Sequence, residues 1–279
     1  GDYGEGNGRY DEGPNRQRFL EHDLRRRYLR MAPAERARLD VYADGGIRDV
    51  FNLGLSGDHL HGAMRALEPA VSRRFTDFLQ IPSLEGVWED GFFYAPRADF
   101  SRAGRHTFVR YGLETPTTRQ LREGDGDHVG TNAQVVDRFQ TFILWASARW
   151  NDVLGPAERA VGETRVEEIT YVSEALGAPR TFNLARPPGY DANTAEAYPL
   201  LVVMHGYGMD AGDMSGLSLI IQALMGTGDV RPMLIAYPSG RCCYVRDGVS
   251  DCRDKEDDGT GFDPAEGWES ECVKGNFYV

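Results

Sequence analysis

Residues 200–208 read Leu-Leu-Val-Val-Met-His-Gly-Tyr-Gly. The five apolar residues at the start are typical of a strand that is buried on both faces. A helical pattern follows over 216–225, and a second apolar run covers 232–237. A strand, a helix and a second strand joined by a short crossover form the unit of a parallel sheet. The sequence therefore predicts an α/β fold, with a mostly parallel sheet flanked by helices.

The glycine-rich turn after this strand is also a candidate site. A buried strand that ends in such a turn, just before a helix, leaves backbone N–H groups pointing at open space. An oxyanion hole requires this arrangement. The donor would be the N–H of Tyr207, with Gly208 beside it. A tight strand-to-helix turn without any catalytic role explains the same residues equally well.

Length and charge limit the classes of protein. The chain has 279 residues, with 31 Lys and Arg against 43 Asp and Glu, which gives a net charge of −12. This length holds one large α/β domain or two small ones. The acidic balance disfavours nucleic acid and anionic membranes as partners, because both attract positive surfaces. No apolar run approaches the roughly 20 residues of a membrane span. The chain begins at Gly1 and stops in what reads as mid-strand, so we expect a piece of a longer product.

The cysteines lie close together in the acidic C-terminal segment. They are Cys242, Cys243, Cys252 and Cys272. Such clustering favours disulfides, and so a secreted or periplasmic protein, although free thiols remain the alternative. Paired CxxC spacings, which a metal site would need, are absent. The acidic loop 241–273 could border a cleft as a lid, and its Asp254, Asp257, Asp258 and Asp263 could bind calcium, but their spacing is not that of an EF-hand.

The C-terminal half resembles a known family. Four stretches carry the resemblance in order: Ile169–Gly177, Arg186–Asp191, Tyr198–Gly206 and Met233–Gly240. They resemble the secreted α/β-hydrolase family that includes esterase D, feruloyl esterases and bacterial mycolyltransferases. Lys274–Val279 looks like the strand before that family's next helix. The resemblance implies an α/β-hydrolase-like fold and an oxyanion hole at Tyr207 and Gly208.

Two stretches of the N-terminal half also resemble this family. Residues 41–49, Val-Tyr-Ala-Asp-Gly-Gly-Ile-Arg-Asp, resemble the strand and turn that carry its catalytic acid. Gly126-Asp127-His128, followed by an apolar helix that Thr131 can cap, resembles the loop of its catalytic histidine. The resemblance implies Asp49 as the acid, with Asp44 as second choice, and His128 as the base. Taken singly, a loop Asp is usually a cap or turn former and a loop His is usually solvated.

The parts of the family therefore occur in an unusual order. We predict a C-terminal-half-like segment over 1–150, a linker over 151–165 and an N-terminal-half-like segment over 166–279. The hydrolase-like fold would be incomplete or rearranged. Either the chain spans the tail of one esterase domain and the head of a second, or a permuted domain packs both halves into one sheet. No Gly-x-Ser-x-Gly turn occurs in the sequence, so the nucleophilic serine would come from outside.

These features lead to one main functional prediction and one alternative. The first is a serine-type carboxylic ester hydrolase without a cofactor, acting on a small-molecule or polysaccharide-linked ester. The alternative is a non-catalytic hydrolase-like module that binds, for example, carbohydrate. Metal binding by His59 and His61 is disfavoured, because positions i and i+2 of a helix do not face each other.

Overall fold

The computed structural model describes residues 20–81, 103–174, 178–192, 197–205, 211–239, 244–247, 249–251 and 269–270. The chain divides into two compact units, Gly1–Val153 and Leu154–Val279. No described helix combines the length and the apolar character needed to cross a membrane.

The first unit is built on a parallel three-stranded sheet. Its strands are β1 (Val41–Gly46), β2 (Ser72–Phe75) and β3 (His106–Tyr111). Strand β3 lies between the other two, and His106 is in register with Val41 on one side and with Ser72 on the other. Since all three strands run in the same direction, their carboxyl ends meet at one edge of the sheet. Ligands of open α/β sheets bind at this edge.

Helices surround this sheet. They are α1 (Leu24–Arg30), α2 (Pro33–Arg36), α3 (Leu53–Leu67), α4 (Thr118–Arg122) and α5 (Asn132–Leu154), with a 3₁₀ turn at Phe78–Gln80. The core takes fully buried side chains from the sheet and from α5, such as Phe108 and Ile143. The predicted cap of α5 is confirmed: Oγ1 of Thr131 accepts the N–H of Gln134 at 3.2 Å.

Two predicted boundaries in this unit are wrong. The residues Leu39–Ala43 predict a strand that the following glycines close, but the strand runs from Val41 to Gly46, because its last residues continue to pair with β3. In the sequence Ser56 is typical of the residue that caps the start of a helix, but the helix begins at Leu53. Asn52 precedes it in the left-handed region, with φ at 55°, and its carbonyl already accepts the N–H of Ser56 at 2.9 Å.

The second unit has a mixed four-stranded sheet. Its elements are β4 (Arg165–Ser173), β5 (Ala178–Arg186), a 3₁₀ turn (Tyr190–Ala192), β6 (Leu200–Val202), α6 (Ala211–Ser215), α7 (Ser218–Thr227) and β7 (Leu234–Pro238). The strand order is β4-β5-β7-β6. Strands β6 and β7 pair in parallel across α7, which confirms the predicted strand–helix–strand unit. The pairs β4–β5 and β5–β7 are antiparallel, so this sheet is mixed rather than mostly parallel.

A small antiparallel sheet follows in the chain. Its strands are β8 (Tyr244–Arg246), β9 (Val249–Asp251) and β10 (Glu269–Ser270), in the order β10-β8-β9. The four cysteines, the four aspartates proposed for calcium and the terminal stretch Lys274–Val279 lie outside the described residues. The disulfides, the calcium site and the lid therefore stay predictions.

The predicted burial of residues 200–204 is wrong. Leu200, Val202 and Met204 are 57%, 52% and 58% exposed, whereas Leu201 is 8% exposed. The physical reason is the place of β6 at the edge of the described sheet. One face of this strand packs against the unit and the other remains open, so burial alternates along it.

Candidate active site

Asp49 lies in the short loop between β1 and α3. The loop is tied to its surroundings by the backbone, since Asn52 donates its N–H to the Asp49 carbonyl at 2.9 Å and Arg48 donates to the Gly126 carbonyl at 2.7 Å. Oδ1 of Asp49 accepts the N–H of Phe51 at 2.8 Å. The Asp49 side chain is only 2% exposed, so its carboxylate is fixed and shielded from water.

His128 lies in the loop between α4 and α5, and Tyr111 at the carboxyl end of β3 places this loop at the same edge of the sheet. Its Nδ1 is 3.3 Å from Oδ1 of Asp49. The His128 side chain is 45% exposed, so one side of the imidazole faces the buried carboxylate and the other is accessible. Because Nδ1 is turned to Asp49, Nε2 lies on the far side of the ring and is placed for a second partner. A carboxylate behind an accessible histidine is the arrangement of a general base.

Tyr111, the last residue of β3, fixes the His128 loop by hydrogen bonds to its backbone. Oη of Tyr111 is 2.8 Å from the Asp127 carbonyl and 3.2 Å from that of His128. Arg138 of α5 hydrogen-bonds Oη of Tyr111, and its guanidinium lies over the Tyr111 ring, 4.7 Å from the centroid. Burial raises the pKa of Tyr111 to about 12, so the phenol stays protonated and remains a donor. Oδ1 of Asp127 accepts the N–H of Gly130 at 2.6 Å, which tightens the turn.

Asp44, the second candidate for the acid, has a different partner. Its Oδ1 is 2.8 Å from Nε of Arg138. Burial raises the pKa of Asp44, while the positive charge of Arg138 opposes that rise. Asp44 therefore serves as the counter-ion of the arginine that holds Tyr111, and Asp49 is the carboxylate that lies against His128.

The two loops approach so closely that glycine is required between them. A Cβ atom on Gly46, the last residue of β1, would lie 2.2 Å from the carbonyl oxygen of Gly126. Arg48 adds a link between the loops, since its guanidinium is 3.1 Å from both a carboxylate oxygen and the carbonyl of Asp125. The distance between Asp49 and His128 thus depends on backbone packing as well as on side chains.

Sequence reasoning missed the exposed apolar side chains that lie in these two loops and at the start of α3. We call Val50, Phe51, Leu53, Leu55 and Val129 the apolar rim. The Phe51 ring meets the His128 imidazole edge-on, with 4.8 Å between ring centroids. All five side chains are exposed, Phe51 by 66% and Val129 by 60%. Their signal in the sequence is an apolar residue directly after each candidate, Val50 after Asp49 and Val129 after His128.

A second polar cluster, also missed, lies in the core of the first unit. Nε2 of His106 is 3.0 Å from Oη of Tyr28 and 3.3 Å from Oε2 of Glu68. Tyr28 also donates a hydrogen bond to Glu68. His106 is fully buried, and this burial lowers its pKa, although the Glu68 carboxylate opposes the change. Tyr28 borders an open cavity of about 770 Å³ whose walls are mostly apolar.

The other sequence candidates are placed as follows. Tyr207 and Gly208, the expected oxyanion donors, lie outside the described residues. His61 is buried and stacks on Phe108, 5.9 Å between centroids, whereas His59 is exposed, so the two do not share a face. Among the described residues, no group of three or more His, Cys, Asp or Glu side chains could hold a metal ion.

No family model and no curated protein matches this chain. Parts of it are similar to solved structures of feruloyl esterases. One ferulic acid esterase is 21% identical, with a TM-score of 0.27, over 28% of this chain and 32% of that one. A CE1 ferulic acid esterase from Anaeromyces mucronatus, in complex with ferulic acid, is 29% identical, with a TM-score of 0.25, over 29% and 30%.

A mutant of the feruloyl esterase module from Clostridium thermocellum, complexed with sinapinate, is 22% identical, with a TM-score of 0.26, over 36% of this chain and 32% of that one. The chain therefore matches about a third of the length of these esterases.

Proposed function

We propose that this chain supplies the acid and the base of a serine hydrolase that cleaves carboxylic esters. The observation that carries the proposal is the 3.3 Å approach of the half-exposed His128 to the buried Asp49. Asp49 lies in the loop after β1 and His128 in the loop between α4 and α5, and the family resemblance in the sequence implies these two residues for these roles. In a catalytic triad the carboxylate fixes the tautomer of the imidazole and stabilises its charged form.

The reaction follows from this geometry once a serine hydroxyl is placed at Nε2 of His128. His128 takes the hydroxyl proton while the serine oxygen attacks the acyl carbonyl, and Asp49 stabilises the resulting imidazolium. The tetrahedral intermediate then collapses, the bond to the alcohol oxygen breaks, and His128 gives its proton to that oxygen. Water, activated in the same way, releases the acid and restores the serine. The N–H groups of Tyr207 and Gly208 would stabilise the oxyanion.

The proposal includes the organisation of the longer protein. The nucleophile would come from sequence outside this chain, in a tandem or rearranged hydrolase in which residues 1–150 resemble a C-terminal half and residues 166–279 an N-terminal half. The substrate would be a small-molecule or polysaccharide-linked ester. A secreted or periplasmic location would suit the clustered cysteines, because disulfides persist in oxidising compartments.

The test is to treat the complete gene product with a fluorophosphonate probe and to assay it with a short aryl ester. We expect covalent labelling of one serine, and loss of turnover when His128→Gln is introduced. Absence of labelling together with absence of turnover would reject the hydrolase. A carbohydrate-binding module is the second candidate, since the sequence lacks a Gly-x-Ser-x-Gly turn. Binding of a polysaccharide that the His128→Gln variant retains, without labelling, would favour that module.

A further inference from the structure

One member of the apolar rim lies against the histidine that handles the leaving group. Phe51 contacts the His128 ring directly, with an interplanar angle of 76°, and Val129 is the next residue in the chain. The side chains of Val50 and Phe51 are 78% and 66% exposed, although both residues are apolar. Exposed apolar side chains gathered at one place commonly mark a binding surface.

The chemistry decides which part of a substrate meets this surface. In ester cleavage, the base that accepted the serine proton returns it to the departing alcohol oxygen. That oxygen must come within hydrogen-bond distance of Nε2 of His128. The alcohol side of the ester therefore lies against the histidine and its surroundings, and the acyl side lies toward the nucleophile and the oxyanion donors.

Two carboxylates next to the rim, those of Asp49 and Asp127, already accept hydrogen bonds within the protein. Oδ1 of Asp49 accepts the N–H of Phe51 and faces His128. Oδ1 of Asp127 accepts the N–H groups of Val129 and Gly130, at 3.0 and 2.6 Å. A sugar needs free hydrogen-bonding groups to replace its water, and a site that leaves its hydroxyls unpaired disfavours it.

We propose that the esters cleaved at this site have an apolar alcohol group, alkyl or aryl, that packs on Phe51 and Val129. The inference rests on the proposed function and deepens it, because it selects small apolar esters over polysaccharide-linked ones. Contact with one apolar group of this size commonly changes specificity by about tenfold or more. The rim is thus the specificity surface for the leaving group.

The test uses the complete gene product and two esters of the same acid, hexyl acetate and an acetylated methyl arabinoside. We expect kcat/KM for the hexyl ester to exceed that for the sugar ester by about tenfold or more. Val129→Ser should lower this ratio several-fold. Val153→Ser is the matched control: Val153 is also exposed, by 76%, but lies near the far end of α5, about 30 Å along the helix from its start. Phe51→Ser should act in the same direction as Val129→Ser, and Phe51→Leu should keep most of the preference.

Each other outcome is decisive. Equal or faster turnover of the sugar ester by the unchanged protein overturns this inference and leaves the hydrolase standing. An equal fall of the ratio in Val129→Ser and Val153→Ser also overturns it, since the effect would not be local. If Val129→Ser changes the oligomeric state in size-exclusion chromatography and leaves the ratio unchanged, the rim is a protein interface and the inference is wrong. No turnover of either ester and no fluorophosphonate labelling would remove the proposed function and this inference with it.

Discussion

Oδ1 of Asp49 is shared by two partners, Nδ1 of His128 at 3.3 Å and the backbone N–H of Phe51 at 2.8 Å. The hydrogen bond from its own loop thereby holds the carboxylate in the orientation that faces the histidine. A preorganised carboxylate of this kind acts by orienting the imidazole and by stabilising its positive charge, and it need not take up the proton itself.

Replacing this carboxylate should therefore reduce turnover far more than it changes the fold. An amide keeps the size and can still accept the Phe51 N–H, but it cannot stabilise the imidazolium. For Asp49→Asn in the complete gene product we expect kcat on an aryl ester to fall on the order of 10³- to 10⁴-fold. Asp58→Asn is the control, since Asp58 pairs with Arg74 and Arg110 at 2.9 Å, away from His128. A loss below tenfold in Asp49→Asn would rule out the assigned role.

The close approach of the two loops gives a stability prediction that needs no substrate. In Gly46→Ala the new Cβ would meet two carbonyl oxygens, of Gly126 at 2.2 Å and of Asp127 at 2.4 Å. Backbone must move to relieve such contacts, and we expect a loss of about 1–3 kcal/mol in the free energy of unfolding. Urea titration of the chain, followed by circular dichroism, measures the change.

Gly62→Ala provides the matched control for this substitution. Gly62 lies within α3, and a Cβ there would have nothing within 4 Å. Alanine is the better helix former, so this variant should gain about 0.5–1 kcal/mol. Equal effects of the two substitutions would contradict the close packing of the loops.

The cluster of Tyr28, Glu68 and His106 predicts loss of stability in acid. Burial lowers the pKa of His106, and the hydrogen bond from Tyr28 lowers the pKa of Glu68. A lowered pKa means that the folded state binds its proton less readily than the unfolded chain. The stabilisation from each group is therefore fully present above its pKa in the unfolded chain, which is about 6.5 for His and about 4.3 for Glu. It is lost as the pH falls through the lower pKa of the folded state.

Urea titrations at a series of pH values test this cluster. Each group contributes at most about 1.4 kcal/mol per pH unit. His106→Gln should flatten the slope between about pH 6.5 and pH 5, because its amide does not titrate in this range. His59→Gln, the same change at an exposed histidine, should leave the slope as it is. A slope that is identical in both variants and the unchanged chain would assign acid sensitivity to other groups.

The sequence predicted strands and helices well where one interaction dominated. His106–Tyr111 is a strand, and its β-branched and aromatic residues are typical of a buried strand in a sheet. Gly45 and Gly46 look like a turn in the sequence, yet they end β1. Without side chains, Gly45 can approach Gly54 of α3 closely, and Gly46 can approach Gly126 of the histidine loop. Contacts between residues distant in the chain are not visible in a local pattern.

The candidate site also separates local patterns from contacts between distant residues. The resemblance to a family implies Asp49 and His128, and no periodicity in the sequence relates two loops so far apart. Their approach depends on the parallel pairing of β1 with β3, which brings both loops to one edge. The apolar rim was missed because Phe51 in a loop is ordinary by itself, and only its contact with His128 gives it a role.

Asp137 of α5 should respond to pH in the opposite sense to the His106 cluster. Burial, and then the charge of Asp77, raises the pKa of Asp137 to about 7. Its Oδ1 is buried without a hydrogen-bond partner in the described part of the chain. A raised pKa means that the fold favours the protonated acid, so stability falls as pH rises from about 4 to about 7.

Asp137→Asn has no proton to lose and should be more stable at pH 8, by at most about 4 kcal/mol. The gain should vanish below about pH 4, where Asp137 is protonated in both states. Asp152→Asn, at an exposed position of the same helix, should show no such pH-dependent gain; a gain in Asp137→Asn that does not vary with pH would contradict the burial of an ionisable carboxyl.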